Sequence, residues 1–204
     1  MKIFDISIDI KPGMIIYPNN PEVKFLLHEG KSTRHTDMSM GTHTGTHIDA
    51  PFHAVDGAPT IDQLDPEIFH GKVRVFDVSG CGAAVKISDI EKYNIQKGER
   101  VMFKTSNSAR GFDTFYEDYI YLDGDAADYL AEIGVKLVAI DYLSIKQKGS
   151  PDTRPHDSLL SRNIPIIEAV NLKDVDEGEY ILSALPLKLI GLDGSPCRAI
   201  LIKE

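Results

Sequence analysis

His43-Thr44-Gly45-Thr46-His47-Ile48-Asp49-Ala50-Pro51-Phe52-His53 places three histidines and one aspartate within eleven residues. Neutral imidazole nitrogens and carboxylate oxygens are the usual ligands of zinc and related divalent ions. On an extended chain, side chains alternate, so His43, Gly45, His47 and Asp49 point to one side and Ile48 and Ala50 to the other. The threonines favour extended backbone, and Gly45 is a poor helix residue. A straight strand would separate His43 from His47 by about four rises of ~3.4 Å, near the limit for sharing one ion. The stretch therefore predicts an extended segment with a bend at Gly45. Pro51 keeps Ala50 extended and stiffens the exit, which leaves His53 beside the ligands. Three protein ligands leave a zinc position open for water, the arrangement of hydrolytic sites.

Outward from this stretch, short runs rich in Val, Ile, Leu and aromatics predict strands at 2–8, 23–28, 72–78, 100–103, 136–141, 165–170, 180–183 and 198–202. Helices are fewer. Ser88-Asp89-Ile90-Glu91 fits a capping box that opens a short helix toward Tyr93. Ala126, Tyr129, Leu130 and Ile133 recur at helical spacing over 125–133, with Gly134 as the stop. A third helix is expected over 158–162. The pattern is mixed α/β with a sheet-rich core, and the strand order does not follow from it.

The 204 residues suffice for one domain, 1–204, and the 16 Gly and 11 Pro are scattered rather than gathered at a boundary. A composition of 42% hydrophobic and 26% charged residues is that of a soluble globular chain. The net charge of -9 and the lack of a basic stripe argue against a nucleic-acid partner. Lys146-Gln147-Lys148, the densest basic spot, reads as a solvated loop. No apolar run approaches the ~18 residues of a membrane helix. The alternating N-terminus does not look like a signal peptide. Cys81 and Cys197 fit no metal motif and read as reduced thiols of a cytoplasmic protein.

Two further residues have the chemistry to join the site. His156 follows a loop rich in Gly, Ser, Pro and Asp. Glu168 lies in the apolar run Ile164–Val170, where a buried carboxylate needs a metal, a partner or a proton. Asp141, at the end of a predicted strand, is expected to cap a loop. His28, His35 and His70 have no acidic or histidine neighbours at ligand spacing and are read as structural.

The chain resembles the metal-dependent cyclase-like hydrolases, a family that includes bacterial kynurenine formamidase and isatin hydrolase. The His43–His53 run carries the resemblance. Tyr17-Pro18, Lys104-Thr105-Ser106-Asn107, His156 with Glu168, and Leu185-Pro186-Leu187 with Gly194-Ser195-Pro196 follow in the family's order. The resemblance implies a mixed α/β domain of the swivelling β/β/α type, assembled as a homodimer or homotetramer. It also implies a site of one or two divalent ions, zinc or else manganese. His43, His47 and Asp49 would be ligands, with Asp49 able to bridge. His156 and Glu168 would complete a second position, and His53 would move protons. The N-terminal region would reach a neighbour's pocket. The formamidase branch carries Trp before Pro near the N-terminus, followed by Gly-Asp; here the residues are Tyr17-Pro18-Asn19-Asn20.

The expected reaction is hydrolysis of an amide in a small molecule, an N-formyl aryl amine such as N-formylkynurenine. Tyr17, Phe52 and Phe25 are candidates to hold its ring. Hydrolysis of a cyclic amide, isatin-like or lactam-like, uses the same ions. A serine hydrolase is disfavoured because no Gly-x-Ser-x-Gly elbow is present. A non-catalytic metal-binding module would have no use for His53 beside its ligands.

Overall fold

The computed structural model describes residues 1–203. Its strands are β1 (Lys2–Asp5), β2 (Lys24–Glu29), β3 (Arg34–Ser39), β4 (His47–Asp49), β5 (His70–Asp77), β6 (Ala84–Val85), β7 (Arg100–Lys104), β8 (Tyr121–Leu122), β9 (Leu137–Ile140), β10 (Ile166–Glu168), β11 (Gly178–Ser183), β12 (Gly194–Pro196) and β13 (Ile200–Lys203). The helices are α1 (Ile87–Ile90), α2 (Asn107–Arg110), α3 (Gly124–Ile133) and α4 (Arg154–Leu160). Every strand expected from the sequence is present, with shifted ends. The mixed, sheet-rich α/β class is the expected one.

Nine strands form one sheet in the order β1-β13-β11-β5-β7-β9-β10-β4-β12. β5, β7, β9 and β10 are parallel neighbours, and antiparallel strands flank them on both sides. Alternation sorts the apolar side chains of this sheet into two cores. Val101, Phe103, Val138, Ile140 and Ile166 pack with Ala126, Leu130 and Ala131 of α3 and Leu159 and Leu160 of α4. Met102, Leu137, Ala139 and Ile167 face the other way. There they meet Ile48, Val73, Val75, Leu182 and Leu201, which come from strands spread across the sheet. One core shared by such distant strands requires the sheet to curl around it. A bridge between Ser7 and Val170, with Asn171 N–H donating to the Ile6 carbonyl at 2.8 Å, ties the first strand's exit to that of β10.

Two helix starts differ from expectation. The first helix opens at Ile87 rather than at Ser88, because the Asp89 carboxylate accepts from Lys86 N–H at 2.9 Å and caps the turn one residue earlier. α4 opens at Arg154 instead of 158, since Pro155 suits a first turn that needs no proline N–H. Arg154 then reaches Asp125 and Asp128 of α3 at 2.7 and 3.0 Å, which docks α4 against its neighbour. Gly134 ends α3 in the left-handed region at φ 75°, as expected.

β2 and β3 form a separate two-stranded hairpin whose residues are almost all exposed. His28 and His35 stack across it and His28 bonds Asp37. Phe25 is on its exposed surface and takes no part in the site described next. Among the described residues no helix is long and apolar enough to cross a membrane.

Candidate metal centre

β4 lies between β10 and β12, and its register decides the site. His47 pairs with Glu168, and Asp49 pairs with Ile166. His47, Asp49 and Glu168 therefore share one face, while Ile48 and Ile167 enter the core on the other. The bend expected at Gly45 is present, with φ +64°. A Cβ there would lie 2.8 Å from Ile10 Cγ1, so glycine is needed for space as well as conformation. The bend lets His43 fold back until its Nδ1 is 2.7 Å from Asp49 Oδ1.

The other residues arrive from separate elements. Pro51–His53 forms a 3₁₀ turn that brings His53 to 4.1 Å from His43, ring centre to ring centre. α4 supplies His156, whose Nε2 is 3.4 Å from Glu168 Oε1 and 3.7 Å from Asp49 Oδ2. All six expected polar site residues thus converge. Two sets of potential ligands share Asp49: His43 with His53, and His47 with Glu168, each with ligating atoms within 4.8 Å of one another.

Burial and unmet bonding capacity test whether these residues suit a cation. His47, Asp49 and Glu168 are almost fully buried. The His47 Nδ1–H donates to the Gly45 carbonyl at 2.8 Å, which points Nε2 into the cluster. That Nε2 and Asp49 Oδ2 have no hydrogen-bond partner. Buried polar atoms are rarely left so, and two of them converging among carboxylates fit a divalent ion.

The proton affinities report the same negative potential. Burial opposes charging His47, but the Asp49 and Glu168 carboxylates, each 3.4 Å from its Nε2, outweigh it and raise its pKa to about 10. The same contest raises His43, through Asp49, and His156, through Glu168. Asp49 is held well below the usual carboxylate range; burial pushes it up, and His43 and His47 pull it down further. Glu168 is also lowered, by His156 and His47 against burial and the Asp49 charge. His53 alone among these histidines is depressed, by burial first and by the charges of His43 and His156. It is the imidazole kept neutral.

Two expectations are corrected. Phe52 does not line the cavity beside the cluster: it is 39% exposed, because successive residues of a 3₁₀ turn diverge and His53 takes the inward direction. Tyr17 does line it and packs edge-on against Phe115. Lys146 is not part of a solvated loop; it is half-buried and lines the same cavity. Asp141 caps, as expected, accepting from Thr105 N–H, the Thr105 hydroxyl and Ser108 N–H at 2.9, 2.7 and 3.1 Å.

Sequence reading missed Asp193. Its carboxylate is 2.9 Å from His43 Nε2 and 3.6 Å from His53 Nδ1, and the Thr42 hydroxyl donates to it at 2.9 Å. Its own carbonyl accepts from Ala50 N–H at 2.9 Å. Gly194 makes the approach possible, since a Cβ there would be 2.7 Å from the Ile48 carbonyl oxygen and 3.1 Å from His43 Cε1. The only local signal was a carboxylate beside a small residue, Asp193-Gly194, just ahead of β12.

The sequence and the fold recur in known proteins. The Cyclase family model matches residues 4–147. A kynurenine formamidase of Salinibacter ruber is 34% identical over 98% of this chain and 97% of its own. A solved protein described as a predicted metal-dependent hydrolase from Bacillus stearothermophilus is 37% identical, superposes with a TM-score of 0.89, and is covered over 98% of this chain and 97% of its own. Isatin hydrolase A from Labrenzia aggregata shares the fold, with a TM-score of 0.86 at 21% identity over 100% of this chain and 94% of its own. The sequence match and the shared architecture show that this chain belongs to the cyclase family.

Proposed function

We propose that the protein is a metal-dependent amidohydrolase that removes the formyl group from an aryl amine, with N-formylkynurenine as substrate. The observation that carries this reading is the pair of unpartnered buried atoms, His47 Nε2 and Asp49 Oδ2, within a cluster of imidazoles and carboxylates beside a cavity of about 430 Å³. Full-length similarity to kynurenine formamidases supports the substrate.

His43, His47, Asp49, His156 and Glu168 would hold one or two ions, and an all-nitrogen-and-oxygen set suits zinc, with manganese the alternative. A bound divalent ion supplies Lewis-acid polarisation of water and of the amide carbonyl. The remaining work falls to the chain. His53, the one imidazole of the cluster outside this ligand set, would accept a proton from the attacking water and return it to the leaving aniline nitrogen. Glu168 is fixed by Ile145 N–H at 2.6 Å, and His47 by the Gly45 carbonyl, so neither reorients during turnover. Tyr17 offers a ring face to the aryl group.

A homodimer or homotetramer in the cytoplasm completes the proposal. Phe25, Leu27 and Met38 share one face of the β2–β3 hairpin and are 40, 53 and 65% exposed, a surface that self-association would cover. Cys81 and Cys197 are unpaired, and burial pushes their thiols up to about 11 and 12. Such thiols are inert and suit a reducing compartment. The test is product formation from N-formylkynurenine against an isatin-type cyclic amide, using metal-loaded protein. Turnover of the cyclic amide alone would favour the second reading.

A further inference from the structure

The cavity beside the metal centre carries two charged side chains that the hydrolytic chemistry does not use. Apart from the cluster itself, Lys146 and Asp157 are the only charged residues that line it. Their neighbours are spoken for: Lys148 pairs with Glu117, and the Asp152 carboxylate is held by Arg154 at 2.8 Å. Among the described residues, Lys146 and Asp157 form no ion pair with each other or with any other group.

An ammonium that lines a cavity and has no ion-pair partner is complementary to an anionic group on a ligand. Asp157 follows His156 directly on α4, in a first turn where a carboxylate suits the helix dipole. It presents a negative charge at the same cavity. The cavity lining thus offers a cation and an exposed anion that form no ion pair with each other. The complement is a small molecule with both charges at one end and an uncharged acyl aryl amine at the other.

We infer that the cavity selects an α-amino acid, with Lys146 taking the substrate carboxylate and Asp157 its ammonium. This rests on the amide-hydrolase reading and narrows it. Formanilides without an amino-acid end, and neutral cyclic amides of the isatin kind, leave both charges unmet. N-formylkynurenine meets both.

The test compares N-formylkynurenine with N-formyl-2-aminoacetophenone, which keeps the formanilide and ketone and lacks the amino-acid end. With metal-loaded enzyme, Lys146→Met lowers the ratio of kcat/KM between the two substrates about tenfold, chiefly through KM, in line with the loss of one charge-assisted hydrogen bond. Lys146→Arg retains most of the ratio, and Asp157→Asn lowers it less. Calorimetry with the deformylated compounds gives a reading free of turnover: Lys146→Met weakens kynurenine about tenfold and leaves 2-aminoacetophenone unaffected. Unchanged ratios and unchanged kynurenine binding in both Lys146→Met and Asp157→Asn overturn the inference. If the wild type cleaves neither substrate yet binds kynurenine in a Lys146-dependent way, the hydrolase reading fails and the charge clamp stands.

Discussion

His43 Nε2 lies 2.9 Å from the carboxylate of Asp193, a residue 150 positions away in the chain. The other ring nitrogen is 2.7 Å from Asp49. Whichever nitrogen is offered to a cation, the other keeps a carboxylate partner that fixes the ring. Outer partners of this kind commonly strengthen metal binding by 10–100-fold. Asp193→Asn should therefore weaken the metal by about that factor, measured by competition with a chromophoric chelator. Affinity equal to wild type would make Asp193 a bystander.

His53 is placed to act as base, yet its ring also belongs to one of the two potential ligand sets. His53→Ala should lower kcat by roughly 10²–10⁴-fold, the usual contribution of a general acid–base group. Metal stoichiometry by elemental analysis should stay at the wild-type value. Loss of an ion along with the activity would reassign His53 as a ligand.

The close approach of β12 to β4 makes a steric prediction. In Gly194→Ala the new methyl meets the Ile48 carbonyl oxygen and His43 together, both along rigid backbone or a held ring. A cost of about 1–3 kcal/mol in unfolding free energy is expected, with weakened metal binding. Gly80→Ala is the control, since a Cβ there meets nothing within 4 Å. It should stay within about 0.5 kcal/mol of wild type. Equal stability of the two variants would remove the packing argument.

Proton linkage gives the metal-free protein a pH signature. The His47 pKa is raised from 6.5 to about 10, so its contribution is complete below 6.5 and is lost as pH rises through about 10. Asp49 and Glu168 are lowered, so their contribution is present above their ordinary values and is lost as pH falls through the depressed ones. The Tm of metal-free protein should be highest at roughly pH 5–6.5 and decline on the alkaline side. Metal should abolish that alkaline decline, because the neutral imidazole is the form that binds it. A metal-free Tm as high at about pH 10 as at about pH 6 would contradict the assignment.

Much of the site was legible because it is local. Alternation and one glycine bend were enough to aim His43, His47 and Asp49 at a common point. Glu168 declared itself by the mismatch between a carboxylate and an apolar strand. What the sequence hid was set by tertiary contact. Asp193 is a lone carboxylate whose role exists only because β12 folds onto β4. Lys146 looked solvated because nothing in its neighbours reveals the cavity it lines. Phe52 and His53 are adjacent in sequence, and only the 3₁₀ turn decides which of them faces inward. The pairing of distant strands around one core likewise had no signature in the spacing of apolar residues.

The central claim is that the cluster around Asp49 holds a divalent ion on which hydrolysis depends. The most direct measurement is turnover of N-formylkynurenine by protein stripped with a chelator, dialysed, and then titrated with zinc or manganese. Activity should vanish on stripping and return in proportion to ion bound, saturating at one or two ions per chain, with Asp49→Asn unable to recover. Full turnover by protein shown by elemental analysis to be free of metal would contradict the account.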